Sequence, residues 1–343
     1  MRRLFSYGLI LLAALTGCRR EAVPGAEPGG IPIAFSAGVA GQSSTKALPH
    51  DSDYLIADGK KIAVYGTWTS PQGVSTDVFS KIGVTCEEQE DASFKWIYSP
   101  LKYWRKGGQY QFSGIYPYDV TVQYGTSGNK LVTSYSMHAN DFDLMVASAV
   151  RNLSEVDDTS PVDLTFHHAM TAVRFLFSKG SDVNHYYLNF FELQNLQAVG
   201  VLVYDGGVVE LDDWNAAEFR SPTVLEWSAS GDNRIWIPEN YGDLSNADNS
   251  WKNWHFVIPQ NLGQNGGYRP AVRFSVNIND ETTDVYTTLD LPEVYDNGDD
   301  VVWEPGKMYT YYVQIQPSTA AITVKVTDWD SYFVGVDDLI FGE

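Results

Sequence analysis

Short segments in which apolar and polar side chains alternate with a period of two recur along the chain. They constrain the fold more than any other feature, because this period places successive side chains on opposite faces of a β-strand. The chain also carries 10 Trp, 21 Tyr and 16 Phe, residue types that pack well on pleated surfaces. The alternating series are Ile62, Val64 and Gly66; Phe94, Trp96 and Tyr98; Tyr110 and Phe112; Val173, Phe175 and Phe177; Val272, Phe274 and Val276; Tyr309, Tyr311, Val313 and Ile315; and Ile322, Val324 and Val326.

Clusters of turn-forming residues separate these segments, at Arg105–Gly108, Asp205–Gly207 and Asp296–Asp299. No window of about a dozen residues carries apolar side chains at helical spacing. Short strands with frequent turns predict an all-β chain built from two antiparallel β-sandwich domains.

The N-terminus has the form of an export signal. Arg2 and Arg3 precede a short apolar run, Leu9–Leu15, which is too short to span a bilayer as a stable helix. The run ends in Leu15–Cys18, which resembles the lipobox of bacterial lipoproteins. The resemblance implies that the signal is cut before Cys18 and that the thiol of Cys18 carries a diacylglycerol. The alternative is an ordinary secretory peptide with a chance cysteine.

The chain is strongly acidic, with a formal net charge of −20, or −22 once the two signal arginines, Arg2 and Arg3, are removed. Such a charge argues against binding nucleic acid or anionic lipid through a basic patch. With Cys18 acylated, Cys86 is left without a disulfide partner, and we expect it to serve as a small apolar residue. No later segment has the apolar run that a membrane-spanning helix requires.

We divide the chain into four parts. Residues 1–17 are the signal peptide, and residues 18–46 are a lipidated tether with a removable first strand. Residues 47–160 form the N-terminal β-sandwich domain and residues 161–343 the C-terminal one. The boundary is placed at Ser154–Pro161, an acidic polar stretch that ends in proline.

A series of short motifs along almost the whole chain resembles one family. The motifs are Ile33–Ala37, Thr45–Ala47, Lys61–Tyr65, Trp96–Trp104, Phe112–Tyr118, Asp143–Ala147, Leu164–Met170, Trp303–Tyr311, Ile322–Val324 and Trp329. Their order, after the lipobox, is similar to that of the fimbrillin-type lipoproteins of Bacteroidales, the subunits of type V pili.

This resemblance implies a fold and an assembly mechanism. It implies two sandwich domains with transthyretin-like (Greek-key) topology, and a lipid-anchored precursor in the outer membrane that later joins a fimbrium and serves cell adhesion. A trypsin-like protease cuts downstream of the lipid, the first strand leaves, and a C-terminal strand of the next subunit fills the groove. The expected partners are other pilus subunits, the protease, the membrane and a surface receptor.

Residues near the N-terminus fit this mechanism. Ile31, Ile33 and Phe35 give a short strand one apolar face, and Pro32 suits an edge position because it cannot donate a ladder hydrogen bond. We expect the small, polar residues that follow, from Gly38 to Ser44, to form an exposed loop.

The maturation site is predicted at the end of this loop. Lys46 is the sole Lys or Arg between Arg20 and Lys60, so we place the cut between Lys46 and Ala47. The alternative is that Lys46 is a solvated loop residue that no protease cuts.

The C-terminal segment is so apolar that we expect its side chains to be buried. It either packs on its own domain as the last strand or adds to a neighbour's sheet. The donor-strand candidates are Phe333, Val334, Val336, Leu339, Ile340 and Phe341.

Motifs of catalytic or metal chemistry are weak, and we predict no enzyme, no metal and no cofactor. His167 and His168 are adjacent on a strand, so they point to opposite faces and do not easily share a metal; at least one is expected to be a hydrogen-bonded structural residue. Asp296–Asp300 resembles a calcium loop, but Lys307 stands where an EF-hand needs glutamate.

The rival function is a surface glycan-binding lipoprotein, whose aromatic side chains stack on sugar rings. The candidate platforms are Trp68, Trp214, Trp227, Trp236, Trp251 and Trp254, the last two with Asn249 and Asn253. The alternative is that most of these tryptophans fill the sandwich cores.

Overall fold

A computed structural model describes most of the chain. The described residues are 30–40, 52–56, 59–125, 129–153, 160–180, 184–216, 220–221, 225–228, 235–237, 239, 254–263, 269–279, 284–291, 301–316 and 319–328. Apart from one short α-helix, α1 (Ser52–Ile56), and a 3₁₀ turn at Leu211–Asp213, their regular structure is all β. The all-β sandwich fold class is therefore confirmed. The transthyretin-like order of strands stays a prediction.

Nine strands come from the first half of the chain and from the residues just after the predicted boundary. They are β1 (Phe35–Val39), β2 (Lys61–Thr69), β3 (Ser75–Glu88), β4 (Phe94–Ile97), β5 (Gln109–Tyr116), β6 (Val122–Tyr124), β7 (Leu131–Ser136), β8 (Met145–Asn152) and β9 (Val162–His168).

The remaining strands follow in the second half. They are β10 (Thr171–Lys179), β11 (Tyr186–Gln194), β12 (Leu196–Gln197), β13 (Val199–Tyr204), β14 (Trp214–Ala216), β15 (Arg220–Ser221), β16 (Leu225–Ser228), β17 (Ile235–Trp236), β18 (His255–Val257), β19 (Gln260–Asn261), β20 (Ala271–Ile278), β21 (Asp284–Asp290), β22 (Val302–Trp303), β23 (Lys307–Gln316) and β24 (Thr319–Asp328). Each alternating series of the sequence falls on one of these strands, except that Tyr98 lies just beyond the end of β4.

The largest sheet has seven strands in the order β1-β9-β8-β5-β2-β3-β4. Three further sheets have the orders β18-β10-β23-β24, β16-β11-β20-β21 (with β17 also paired to β11) and β14-β13-β7-β6. Two pairs of the described strands, β1 with β9 and β10 with β23, are parallel, a feature that the sequence did not predict.

Two hydrophobic cores lie on opposite faces of the seven-stranded sheet. Ile62 and Val64 of β2 belong to the first core, whereas Ala63 and Tyr65 belong to the second, which the sheet shares with strands of the second half. The sheet is therefore buried on both faces at its centre, and β2 is buried from Ile62 through Thr67.

Strand pairing crosses the predicted domain boundary in both directions. β9 follows the boundary but pairs with β1 and β8, and β7 precedes it but pairs with β13. The boundary at 154–161 stays a prediction.

Candidate functional site

The predicted removable strand lies at one end of the seven-stranded sheet. Ile33 is 1% exposed and Phe35 is 4% exposed, Ile31 is partly buried, and Pro32 between them is exposed. The alternation read from the sequence is thus present, with one apolar face directed into the first core. We call residues 31–39 the closing segment.

The observed strand begins and ends later than predicted. β1 starts at Phe35 and continues through Val39, which is 6% exposed, so the prediction of a loop from Gly38 was wrong for Gly38 and Val39. The reason is the parallel pairing with β9, which runs from Phe35 to Val39; one residue later the Ala40 N–H donates to the Phe166 carbonyl at 2.9 Å.

The closing segment bonds to two separate edges. Near its start, the Ile33 N–H donates to the Lys102 carbonyl at 2.9 Å and the Trp104 N–H donates to the Ile31 carbonyl at 3.0 Å. Near its middle, the Val162 N–H of β9 donates to the Ala34 carbonyl at 2.8 Å. The segment therefore lies between β9 and the stretch after β4 and bonds to both. Its apolar side chains cover the first core between these two edges.

Aromatic side chains surround the centre of the closing segment. The ring of Phe35 packs edge-on against Phe79 at 5.3 Å, Phe112 at 5.6 Å and Tyr98 at 5.8 Å between centroids. Such edge-to-face pairs add specific stabilisation to the burial of apolar area.

Tyr98 also holds the backbone of the segment, because its hydroxyl donates to the Ile33 carbonyl at 2.7 Å. Burial raises the pKa of Tyr98 to about 12, so the hydroxyl keeps its proton, and can donate, further into the alkaline range than a free tyrosine. The sequence placed Tyr98 in an alternating series but did not identify it, or Lys102 and Trp104, as partners of the first strand.

The helix α1 stays with the body if the chain is cut after Lys46, because it follows that residue in the sequence. Its Leu55 is fully buried in the first core, and the hydroxyl of Tyr54 lies 2.8 Å from that of Tyr116. Burial and the Tyr54 hydroxyl both raise the pKa of Tyr116.

The other residues assigned to assembly fall outside the described residues and stay predictions. They are Cys18, Lys46, Ala47, Phe333, Val334, Val336, Leu339, Ile340 and Phe341.

The predicted structural histidine is confirmed at His168. Its Nδ1 lies 2.8 Å from Oδ2 of Asp143, and both side chains are fully buried where β8 begins and β9 ends. His167 is partly exposed, as the alternation of faces requires. The described residues contain no group of three or more His, Cys, Asp or Glu side chains that could hold a metal ion.

Two tryptophans proposed as sugar platforms are core residues. Trp214 is 6% exposed and donates to the Ala169 carbonyl at 2.8 Å, and Trp254 is 4% exposed with the Arg174 guanidinium 4.4 Å from its ring. The prediction of a sugar platform was therefore wrong for both Trp214 and Trp254, because a sugar needs a ring face in contact with solvent.

The remaining candidates divide between exposed, partly buried and undescribed positions. Trp236 is 50% exposed, whereas Trp68 is partly buried, donates to the Gly107 carbonyl at 2.9 Å and lies under the Arg105 guanidinium. The side chain of Trp227, and Asn249, Trp251 and Asn253, lie outside the described residues.

Cys86 is fully buried in β3, opposite Trp96 in the register with β4. It belongs to the first core, as expected of a small apolar residue. No helix among the described residues is long and apolar enough to cross a membrane.

Comparison with known proteins gives a family match over most of the chain. The family model described as fimbrillin-like matches residues 45–329. No curated protein matches the chain.

Solved structures share its fold at low sequence identity. A candidate cell adhesion protein from Bacteroides ovatus has a TM-score of 0.55 at 17% identity, over 88% of this chain and 99% of that one. Another from Bacteroides uniformis has a TM-score of 0.52 at 18% identity, over 88% and 100%. A fimbrial protein from Bacteroides vulgatus has a TM-score of 0.52 at 11% identity, over 87% and 99%.

Proposed function

This chain belongs to the fimbrillin-like family, and we propose that it is a non-enzymatic subunit of a cell-surface fimbria that serves adhesion. In this proposal the precursor is held in the outer membrane by lipid on Cys18. A trypsin-like protease cuts between Lys46 and Ala47, the closing segment leaves, and a C-terminal strand of the next subunit takes its place.

The geometry of the closing segment is the observation that carries the proposal. It lies near the chain's start, at a sheet end, and a cut after Lys46 detaches it without dividing any described strand or helix. Yet Ile33, Phe35 and Val39 are each less than 7% exposed. A segment that is easy to detach and deeply buried is what strand exchange requires.

The apolar contacts of the segment are large enough to drive assembly. Burial of a side chain such as Ile, Phe or Val contributes about 1.5–3 kcal/mol, so Ile33, Phe35 and Val39 together contribute roughly 5–9 kcal/mol before ordering costs. The backbone donors and acceptors of β9 and of the stretch after β4 also lose their partners when the segment leaves. A groove in that state strongly favours a replacement strand.

Limited proteolysis tests the proposal on the lipid-free precursor, from Arg19 onward. At low trypsin dose, we expect trimming of Arg19 and Arg20 and an early cut after Lys46 by intact mass, followed by a ladder of oligomers on a native gel. The matched control is Lys46→Gln, which we expect to lose only those N-terminal arginines and to stay monomeric under the same conditions.

Two results would contradict self-polymerisation triggered by cleavage. One is a chain cut after Lys46 that stays monomeric at all concentrations, which would leave a tip or anchor role. The other is oligomerisation of the Lys46→Gln variant at the wild-type rate, which would show that cleavage is irrelevant to assembly.

A further inference from the structure

We propose that the groove left by the closing segment binds its new strand in one direction and one register. The occupant is residues 332–340 of a second copy of this chain, running parallel to β9. This inference rests on the proposed function, because the groove exists only after the closing segment has left.

The direction follows from the two edges of the groove. On one edge, the Lys102 carbonyl accepts from the Ile33 N–H, and the Trp104 N–H donates to the Ile31 carbonyl. These two bonds flank an antiparallel bridge between Pro32 and Tyr103. On the other edge, β9 pairs in parallel from Val162 to Phe166. These edges belong to the body of the molecule, so a strand that satisfies both must run in the direction of β1.

Tyr98 fixes one point along this strand. Its hydroxyl reaches the carbonyl of Ile33, and its ring packs edge-on against Phe35. We infer that Tyr98 is a positioning residue, which donates to the carbonyl of whichever residue replaces Ile33.

The burial of the closing segment defines which side chains the groove accepts. Ile33, Phe35 and Val39 fill three deep subsites, at 1%, 4% and 6% exposure. Ile31 and Ala37 also pack against the first core but are only partly buried, so their positions restrict the side chain less strictly than the three deep subsites do. The deep subsites are therefore spaced by two and then by four residues, and each requires an apolar side chain.

One alignment of the chain's last fifteen residues meets this requirement. We call residues 329–343 the tail peptide. Val334, Val336 and Ile340 then occupy the three deep subsites in order. Every other alignment that keeps the whole strand within the tail peptide puts Gly335, an aspartate or a serine in at least one of them.

This register has three imperfect positions. Asp338 takes the place of Ala37, a partly buried residue that packs against the first core. The other two can be improved by substitution. Val336 is smaller than the Phe35 that it replaces, so it leaves part of the aromatic subsite empty. Asp337 takes the place of Ser36, whose hydroxyl donates to Asp163 at 3.2 Å, so two carboxylates face each other. The register therefore predicts that Val336→Phe and Asp337→Ser each tighten binding.

Fluorescence anisotropy of the labelled tail peptide tests the register. The acceptor is the full precursor trimmed after Lys46, freed of the N-terminal fragment by gel filtration and kept dilute. We expect Val336→Phe and Asp337→Ser to lower the Kd by about threefold or more, and Val334→Asp to raise it by more than about tenfold. Phe333→Asp and Leu339→Asp are the controls: these side chains point away from the core in this register, and we expect changes below about threefold.

Disulfide formation tests the direction. In the register of β1, Asp163 pairs with the residue at position 36 and Thr165 with the residue at position 38, and both acceptor side chains are exposed. We expect Asp163→Cys to link to a peptide carrying Asp337→Cys, and Thr165→Cys to link to one carrying Leu339→Cys. Cys86 is fully buried and does not compete.

The outcomes separate this inference from the proposed function. Predominant cross-links between 163 and 339 or between 165 and 337 would overturn the direction. Loss of binding in the Phe333→Asp and Leu339→Asp peptides but not in Val334→Asp would overturn the register. A trimmed chain that polymerises but does not bind the tail peptide overturns the inference alone, whereas a trimmed chain that neither polymerises nor binds it also contradicts self-assembly by strand exchange.

Discussion

Replacing Phe35 by alanine tests whether the closing segment holds the first core together. Phe35 is 4% exposed and meets three aromatic rings within 6 Å between centroids. Core Phe→Ala substitutions lower the free energy of unfolding by about 3–5 kcal/mol, through lost burial and the cavity that remains. We expect Phe35→Ala to fall in this range, because rings from two different strands line the site and cannot collapse into it together.

The assay is urea unfolding of the uncut precursor, monitored by tryptophan fluorescence. We expect the midpoint of the transition that reports the first core to fall with little change in slope. The same substitution in the isolated fragment of residues 19–46 should weaken its rebinding to the trimmed chain by about two to four orders of magnitude.

Ser36→Ala is the matched control, since Ser36 lies next to Phe35 in the strand but makes its hydrogen bond to Asp163 at an exposed position. We expect it to change the free energy of unfolding by less than about 0.5 kcal/mol. A Phe35→Ala loss below about 1 kcal/mol would refute the reasoning, because the segment would then contribute little to the core that it covers.

Three further predictions concern the supports of this site. Asp143→Asn replaces the buried carboxylate that bonds His168, and we expect urea unfolding to show a loss of about 1–3 kcal/mol, against a smaller loss for the partly exposed His167→Gln. Gly114→Ala places a Cβ 2.8 Å from Cζ of the Phe166 ring, so we expect a loss of about 1–3 kcal/mol by thermal unfolding, and an unchanged midpoint would contradict the tight packing. The pKa of Tyr98 is raised from 10.0 to about 12, so its neutral form is favoured in the folded state; the resulting stability is complete below pH 10 and is lost as the pH rises toward 12. Tyr98→Phe should therefore weaken the precursor at neutral pH by about 1 kcal/mol, through loss of the bond to Ile33, and should flatten its alkaline decline in unfolding scans.

Local patterns predicted the elements of this fold well, and non-local pairing explains where they failed. The alternation of Ile31, Ile33 and Phe35 identified the buried face of the closing segment, because side-chain direction in a strand is a property of neighbouring residues. The extension to Val39 depends on β9, which lies more than a hundred residues later. The residues around Gly38 contain no pattern that predicts pairing with β9.

Burial on both faces is a second feature that a local pattern does not reveal. In β2, Ala63 and Tyr65 look like the outer face of a two-layer sheet, yet they enter the second core. Trp214 and Trp254 show the same limit, since their residue type suits a sugar platform and a core equally well, and tertiary packing alone decides. By contrast, adjacency alone required His167 and His168 to face opposite ways.

On the proposed mechanism, the position of the closing segment gives a physical reason for a covalent cut before assembly. While residues 31–39 stay attached, they meet their groove at an effective concentration on the order of millimolar, so a strand from another subunit rarely competes. The same attachment keeps the edge of β9 paired, which protects the precursor from aggregation through an open sheet edge. A cut between the closing segment and α1 removes none of the described contacts. After the cut, however, rebinding of the segment depends on its concentration in solution. On the proposed mechanism, cleavage therefore acts on the competition between strands.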